Sequence, residues 1–403
     1  MALTIAYLAG QYARPSDTFV RAEVAALRDM GHTVHTFSIR RPWDPPVDED
    51  VAAERARTDD VLEHGPGELG AAAARRAAAS PARMASALRL AIRAGWPGVR
   101  GRTWPLAYLV EAAYLAERLE ALEVDFLYNH LAQGSSVVAM LASELSGVPF
   151  GFVVHGPHEF DEAPYLALDL KVERAAVVVA SASFVRAQLL RWCPPEQWAK
   201  VHLVRNGVPG TLLEHPRVPV PSDPRFVSVG RVDEQKGHLL LVEAVGQLTS
   251  RGVHVEVEIV GDGPLRGLVE QRIRELGLGD RVRVLGFLSR TEMVERILAA
   301  RALVMPSLAE GLPLAIMDAL AVGRPAIATA VAGVPELVET GVCGWLVPAG
   351  DPESLARAME EAIGAPRRQL ERLGREGTAR VAERHDIRRE AARLAELMVA
   401  QVR

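Results

Sequence analysis

Two acids flank a turn that can open a helix, and they head the residues of this sequence able to do chemistry. Glu310 and Asp318 lie in EGLPLAIMDALAVGRPAIATAVAGVPE, residues 310–336. Pro313 suits the first turn of a helix that Gly323 then ends. The amides of Gly311, Leu312 and their neighbours would point out of the carboxyl end of the preceding strand, where a helix N-terminus favours phosphate. A second cluster is VGRVDEQKG, residues 229–237, in which a strand runs through Gly230 into a loop and a helix. Arg231 and Lys236 put two cations near that strand end, where a leaving diphosphate could be neutralised. Alone, such a pair would read as solvated surface charge; two strand-end clusters in one half of the chain reverse that preference. A third stretch, VEIVGDGP at 257–264, is a β-run broken by Gly261 and Gly263. It lacks the full dinucleotide fingerprint. The first half contributes Gly10 in LAGQYARPSDTF, where glycine allows close backbone approach, and His155 in FVVHGPHEFD. A single histidine is more often a satisfied structural group than a catalyst, but one at a strand's carboxyl end beside Gly156 is placed to meet a ligand.

Short apolar runs alternating with amphipathic stretches are what must position these residues, and that alternation is the pattern of parallel strands joined by helices. In the first half the expected strands are Leu3–Leu8, Thr33–Ser38, Phe126–Tyr128, Phe150–Val154 and Ala176–Ala180. Beyond HPRVPVPSDP the rhythm restarts with Phe226–Val229, Val255–Val260, Val282–Leu285, Leu303–Met305, Ala326–Ala328 and Gly344–Val347. Four prolines between Pro216 and Pro224 deny the donors that a helix or central strand needs, which places an inter-domain linker there. The expected division is a first α/β domain over 1–215, a second over 216–385, and a closing helix over 386–403 free to pack back on the first domain.

At 403 residues, with 49% hydrophobic and 24% charged side chains, both halves can bury cores. Forty-six basic against 51 acidic residues give a net charge of −5, which offers nucleic acid no global attraction. Cys193 and Cys343 are too few and too far apart for a metal cluster or a disulfide framework, so they read as small apolar residues in a reducing compartment. The opening MALTIAYLAG reads as a first strand, with no basic n-region or cleavage site of a signal peptide. No apolar run approaches the ~20 residues that cross a bilayer. One segment breaks the pattern: residues 69–110 hold no acid and seven arginines, Arg75, Arg76, Arg83, Arg89, Arg93, Arg100 and Arg102. It reads either as a basic amphipathic insertion able to lie on an anionic bilayer or as an Ala-rich excursion packed on the first domain, and the second reading is preferred.

Taken together, these clusters resemble glycosyltransferase family 4, the retaining enzymes of GT-B architecture, over nearly the whole chain. Glu310 matches the first acid of that family's pair and Asp318 stands where the second is usually Glu, within the flanks EGLP, ALA, VGRP and AGVPELV. The resemblance implies two Rossmann-like α/β/α domains facing a central cleft. It also implies that Arg231 and Lys236 bind the donor's diphosphate and stabilise it as it leaves. Glu310 would contact the transferred sugar, with the amides of Gly311, Leu312, Pro313-flanked Leu314 and the loop glycine Gly230 beside sugar and phosphate. Gly10 resembles the first-domain glycine that closes over the phosphates, and His155 the histidine that hydrogen-bonds the sugar. The Gly261–Gly263 loop and the turn Gly286, Phe287 and Leu288 resemble the lining of the base pocket. PSDTFVRAEVAALRDMGHTVHTFSIR and HGPHEFDEA resemble the exopolysaccharide branch with its colanic-acid-type enzymes, in which His130 also falls where a histidine is common.

The expected reaction moves a sugar from a UDP- or GDP-sugar to a hydroxyl of a saccharide, a lipid-linked saccharide or a small metabolite. No cofactor and no metal are expected, since the nucleotide sugar is a substrate and cationic side chains with helix amides can neutralise the leaving diphosphate without one. No nucleic-acid partner is expected, and the oligomeric state is open. The expected location is cytoplasmic, with peripheral contact to the inner face of the membrane through 69–110 as an option. Two rivals differ in class. An NAD-dependent oxidoreductase would want a full glycine fingerprint and a later acid, which are not found; a non-catalytic nucleotide-sugar binder would keep the fold without turnover.

Overall fold

The computed structural model describes residues 1–14, 17–43, 45–46 and 49–402. Pro15 and Ser16, within the Leu8–Phe19 stretch, and Arg403, the last residue of the expected closing segment 386–403, lie outside the described residues. The chain divides into two compact units, Met1–Arg205 with Ile387–Arg403, and Asn206–Asp386.

The first unit is built on a parallel sheet of β1 (Thr4–Ala9), β2 (Thr33–Ser38), β3 (Asp59–Asp60), β4 (Phe126–His130), β5 (Phe150–Val154), β6 (Val177–Ala180) and β7 (Val201–Leu203), in the order β3-β2-β1-β4-β5-β6-β7. The second holds β8 (Arg225–Val229), β9 (Glu256–Val260), β10 (Val282–Gly286), β11 (Ala302–Met305), β12 (Ala326–Thr329) and β13 (Gly344–Val347), in the order β10-β9-β8-β11-β12-β13. Runs such as VVVA in β6 and ALVM in β11 are buried throughout, as parallel strands covered on both faces by helices must be. In each sheet the strand order reverses beside its first strand, between β1 and β4 and between β8 and β11. Loops that leave the carboxyl ends at such a reversal splay apart and leave room for a ligand.

Every expected strand is present to within two residues at its ends. β3 and β7 are additional, and at two and three residues they are too short for a periodic pattern. The domain boundary needs correction. The chain leaves the first unit after Arg205, and Pro216–Pro224 lies inside the second. Prolines lack donors but keep their carbonyls. Arg324 donates to Val218 O at 2.9 Å and Pro219 O at 3.1 Å, and Arg301 donates to Pro221 O at 3.1 Å and Ser222 O at 3.2 Å. Val220 is buried in the second core. The proline run is therefore a strap fastened by two buried guanidinium groups.

The closing helix, Ile387–Val402, gives Ile387, Leu394 and Met398 to the core of the first unit, and Glu390 accepts the backbone N–H of Arg205 at 2.6 Å. The arginine-rich segment forms the helices Gly65–Ala79 and Pro81–Arg93 and the start of Val99–Ala121, packed on the first unit. Arg76 is buried there, forked onto Glu120 at 2.6 and 2.7 Å and donating to Leu145 O at 2.8 Å.

Candidate active site

The loops after β8, β9, β10 and β11 all leave the same edge of the second sheet. Gly230 donates to Val260 O at 3.0 Å, and Gly261 to Gly286 O at 2.8 Å. Gly261 has φ +145°, and a Cβ there would collide with Gly230 O, so only glycine lets these two loops touch. Across this seam runs Lys236, whose Cδ and Cε would stand 3.3 Å from a Cβ at Gly230. The stem thus lies on bare backbone, and its Nζ reaches Glu310 Oε1 at 2.5 Å. Ser307 Oγ donates to the same oxygen at 2.7 Å, and Glu310 is buried. Lysine from the β8 loop and acid from the β11 loop therefore meet where the strand order reverses. The field of Lys236 adds to burial in holding the neighbouring His238 neutral, with its pKa pushed down to about 4.

Immediately beyond Glu310 the helix Leu314–Ala321 begins, with extended backbone at Pro313 and no side-chain cap. Its first amides have no partner within the helix, which suits a phosphate or sugar oxygen. Pro313 takes the capping position rather than the first helical one. Asp318, on that helix, is buried and paired with Arg290 Nη2 at 3.1 Å; burial raises its carboxyl and Arg290 opposes the rise. The expected pair of acids is thus divided, with Glu310 held by Lys236 and Asp318 by Arg290. Arg231 sits on the Lys236 loop with its side chain 69% exposed, and its Nε lies 3.8 Å from Asp233. Lys236 is brought to Glu310; Arg231 is not. Phe287, in the turn after β10, is 77% exposed, and Leu288 is half-buried.

In the first unit His155 follows β5 and His130 ends β4, their rings 4.4 Å apart, with Phe19 against both at 5.4 and 5.3 Å. Glu159 fixes this pair from below. Its Oε2 accepts the N–H of His155 at 2.7 Å and of Gly156 at 3.0 Å, while Oε1 accepts the N–H of Ala132 at 2.6 Å. Lys171, fully buried, donates to Ala132 O at 2.9 Å and Gln133 O at 3.0 Å, so the acid bridges the two histidine loops and the amine holds the one after His130. Tyr7 donates to Glu23 Oε1 at 2.8 Å and lies 2.9 Å from His130 Nδ1. While Glu23 is ionised the Tyr7 proton is committed to it and the Tyr7 oxygen accepts, which puts the His130 proton on Nδ1 and leaves Nε2 a bare acceptor. That Nε2 and both ring nitrogens of His155 are buried without a hydrogen bond. Gly10, at the end of β1, has open space where a Cβ would stand.

Ser307, Arg290, Glu159, Lys171, Tyr7 and Glu23 were not singled out from the sequence. Only Arg290 carried a signal, in the capping box that Ser289 and Glu292 form around it. Among the described residues no three or more His, Cys, Asp or Glu side chains gather to hold a metal ion, and no helix is long and apolar enough to cross a membrane.

Burial pushes the His155 pKa from 6.5 down to about 3, with His158 adding to it. Between those values the folded ring binds fewer protons than the unfolded one, so its contribution is full above pH 6.5 and is lost as pH falls toward 3. Glu23 runs the other way: burial raises it from 4.5 to about 7, so its contribution is lost as pH rises across that window. His155→Asn leaves Glu23 in place, and should reduce the loss of unfolding free energy between pH 6.5 and about pH 5 by about 2 kcal/mol, measured by denaturant titration.

Two doubly wound parallel sheets in one chain, the second carrying a lysine–carboxylate pair and an open helix start at its strand reversal, form the GT-B architecture. Solved structures agree. Anabaena HepE in complex with UDP matches with a TM-score of 0.72 at 18% identity, covering 99% of this chain and 100% of that one. The sucrose-phosphate synthase of Thermosynechococcus elongatus matches with a TM-score of 0.75 at 21% identity, covering 98% of each chain. Residues 17–210 match the family described as Glycosyltransferase Family 4, and residues 214–380 match Glycosyl transferases group 1. The chain thus carries a family 4 glycosyltransferase domain followed by a group 1 glycosyltransferase domain. A putative colanic acid biosynthesis glycosyltransferase, WcaL of Salmonella typhimurium, is 37% identical over 176 residues, 42% of this chain and 43% of that protein. The alpha-D-kanosaminyltransferase of Streptomyces kanamyceticus is 36% identical over 143 residues, 36% of this chain and 37% of that one. The chain thus spans about two fifths of the length of the curated relatives it matches.

Proposed function

We propose that this chain is a retaining glycosyltransferase that moves a sugar from a UDP- or GDP-sugar to a hydroxyl of a saccharide or lipid-linked saccharide, in the making of an exopolysaccharide or related glycan on the cytoplasmic side. The observation that carries the reading is the Lys236–Glu310 pair at the strand reversal, beside an uncapped helix start. A leaving diphosphate needs fixed positive charge where its own charge develops, and a preorganised cation with helix amides supplies it. Lys236 and the amides after Gly311 take that role, with Arg231 extending toward the phosphates; no divalent ion is needed in this scheme. Glu310 orients Lys236 and meets the sugar. His155 offers ring nitrogens that have no protein partner, and a buried polar atom without one favours a polar ligand. The bond from the anomeric carbon to the diphosphate oxygen breaks as the acceptor oxygen bonds to the same face, and a donor phosphate oxygen takes the acceptor's proton.

Support for the polysaccharide acceptor comes from relatives named for colanic acid and amylovoran biosynthesis. A small soluble acceptor is the second reading, favoured by the kanosaminyltransferase and the 2-deoxystreptamine glucosyltransferase among the relatives. The test has two stages. Thermal stabilisation by a panel of UDP- and GDP-sugars selects the donor, and a ligand at about 100 times its Kd should add about 2.7 kcal/mol. NMR of the product should then show the donor's anomeric configuration, with turnover unchanged by EDTA. An inverted product would refute retention, EDTA inhibition would refute metal independence, and stabilisation with neither transfer nor donor hydrolysis would make the chain a binding protein.

A further inference from the structure

We infer that the corner where the helix Pro81–Arg93 meets the start of the helix Val99–Ala121 is a docking surface for an anionic phospholipid bilayer. The structure sorts the seven arginines of residues 69–110 into two sets. Four are tied to the first unit: Arg75 to Glu68 and Glu117, Arg76 to Glu120, Arg83 to Leu145 O, and Arg93 to Glu173. The guanidinium groups of Arg89, Arg100 and Arg102 are exposed and have no hydrogen-bond or ion-pair partner among the described residues. This leftover set lies on the corner itself. Trp96 N–H donates to Gly101 O at 3.3 Å, which folds the end of one helix back on the start of the next.

Apolar side chains share that corner. Leu88, Ile92, Val99, Trp104 and Leu106 are 40%, 66%, 81%, 45% and 42% exposed. They are five of the fourteen large apolar side chains exposed among the described residues, gathered within residues 88–106. On the first helix Leu88 and Ile92 are one turn apart with Arg89 beside them, and on the second Val99 is followed by Arg100 and Arg102. Exposed apolar groups interleaved with unpaired cations, in a segment without one acid, complement a surface that offers hydrocarbon beneath a layer of phosphate. A soluble polyanion would use the cations and leave Ile92 and Val99 in water. The inference goes beyond the transfer reading and stands without it, because binding is measured with no sugar donor present.

Co-sedimentation of the full chain with phosphatidylglycerol–phosphatidylethanolamine vesicles, and with phosphatidylcholine vesicles, tests it. Binding is expected to the first and not the second. The Arg89→Gln/Arg100→Gln/Arg102→Gln variant should lower the partition coefficient about a hundredfold. A matched Arg251→Gln/Arg357→Gln/Arg367→Gln variant of the second unit should bind as the parent does. Ile92→Ser/Val99→Ser should also weaken binding, at unchanged melting temperature. Equal binding to both vesicle types, or undiminished binding by the corner arginine variant, overturns the inference. So does capture by heparin as strong as by vesicles together with indifference to Ile92→Ser/Val99→Ser, which would mark a plain polyanion site. Loss of sugar transfer with vesicle binding intact would instead count against the proposed function alone.

Discussion

Lys236→Ala is expected to lower kcat for sugar transfer about a thousandfold, the scale on which one preorganised charge acts on a developing anion. Donor KM should move little, because the interaction lost is one that strengthens only as the diphosphate leaves. The variant also leaves Glu310 buried with Ser307 as its remaining hydrogen-bond partner, which by itself costs stability. A Lys236→Ala/Glu310→Gln variant separates the two effects: melting temperature should return toward that of the parent while turnover stays low. Lys236→Arg should not rescue, since the stem crosses bare backbone at Gly230 and a planar fork cannot occupy a point-charge position. Steady-state kinetics decide the matter, and near-normal kcat in Lys236→Ala would remove the site from consideration.

The second large effect belongs to the first unit. Glu159→Ala strips three backbone N–H groups, two of them buried, of their acceptor and leaves the fully buried Lys171 without a nearby opposite charge. Burial already pulls the Lys171 pKa down to about 7, with Glu159 opposing, so its ammonium depends on this carboxylate. Breaking such an arrangement from one side costs about 3–5 kcal/mol, or roughly 10 °C in Tm for a unit of this size. Replacing both, as Glu159→Leu/Lys171→Leu, removes the stranded charge and should recover part of the stability. It should not recover transfer, because the two loops that hold His130 and His155 lose their common clip. A double variant with restored Tm and full kcat would show that the clip supports the fold and not the site.

The strands were legible because parallel sheets bury both faces and write themselves as apolar runs, VVVA and ALVM among them. The loops were legible wherever glycine marks a tight passage: the two loops touch because Gly261 has no Cβ to strike Gly230 O, and the Lys236 stem lies against Gly230. What the sequence hid was pairing across distance. Lys236 and Glu310 are 74 residues apart, and Asp318 meets Arg290 from 28 residues away. No local pattern reveals that the two acids would take different cations. The proline run misled for a related reason. Its missing donors were visible in the text, but the guanidinium groups of Arg301 and Arg324 that take its carbonyls lie about 80 and 105 residues later. The clip beneath the histidines was likewise hidden, since Glu159 and Lys171 look like ordinary helical surface charges until three backbone N–H groups are found on one carboxylate.

The return of Ile387–Val402 to the first core makes Asn206–Asp386 an insertion within that unit. During synthesis the lobe begun second has all of its residues in hand first, while the earlier one waits with the seat for Ile387, Leu394 and Met398 uncovered. A ribosome stalled near residue 386 would therefore hold one finished lobe and one open one, and the open one is where a chaperone would find apolar surface.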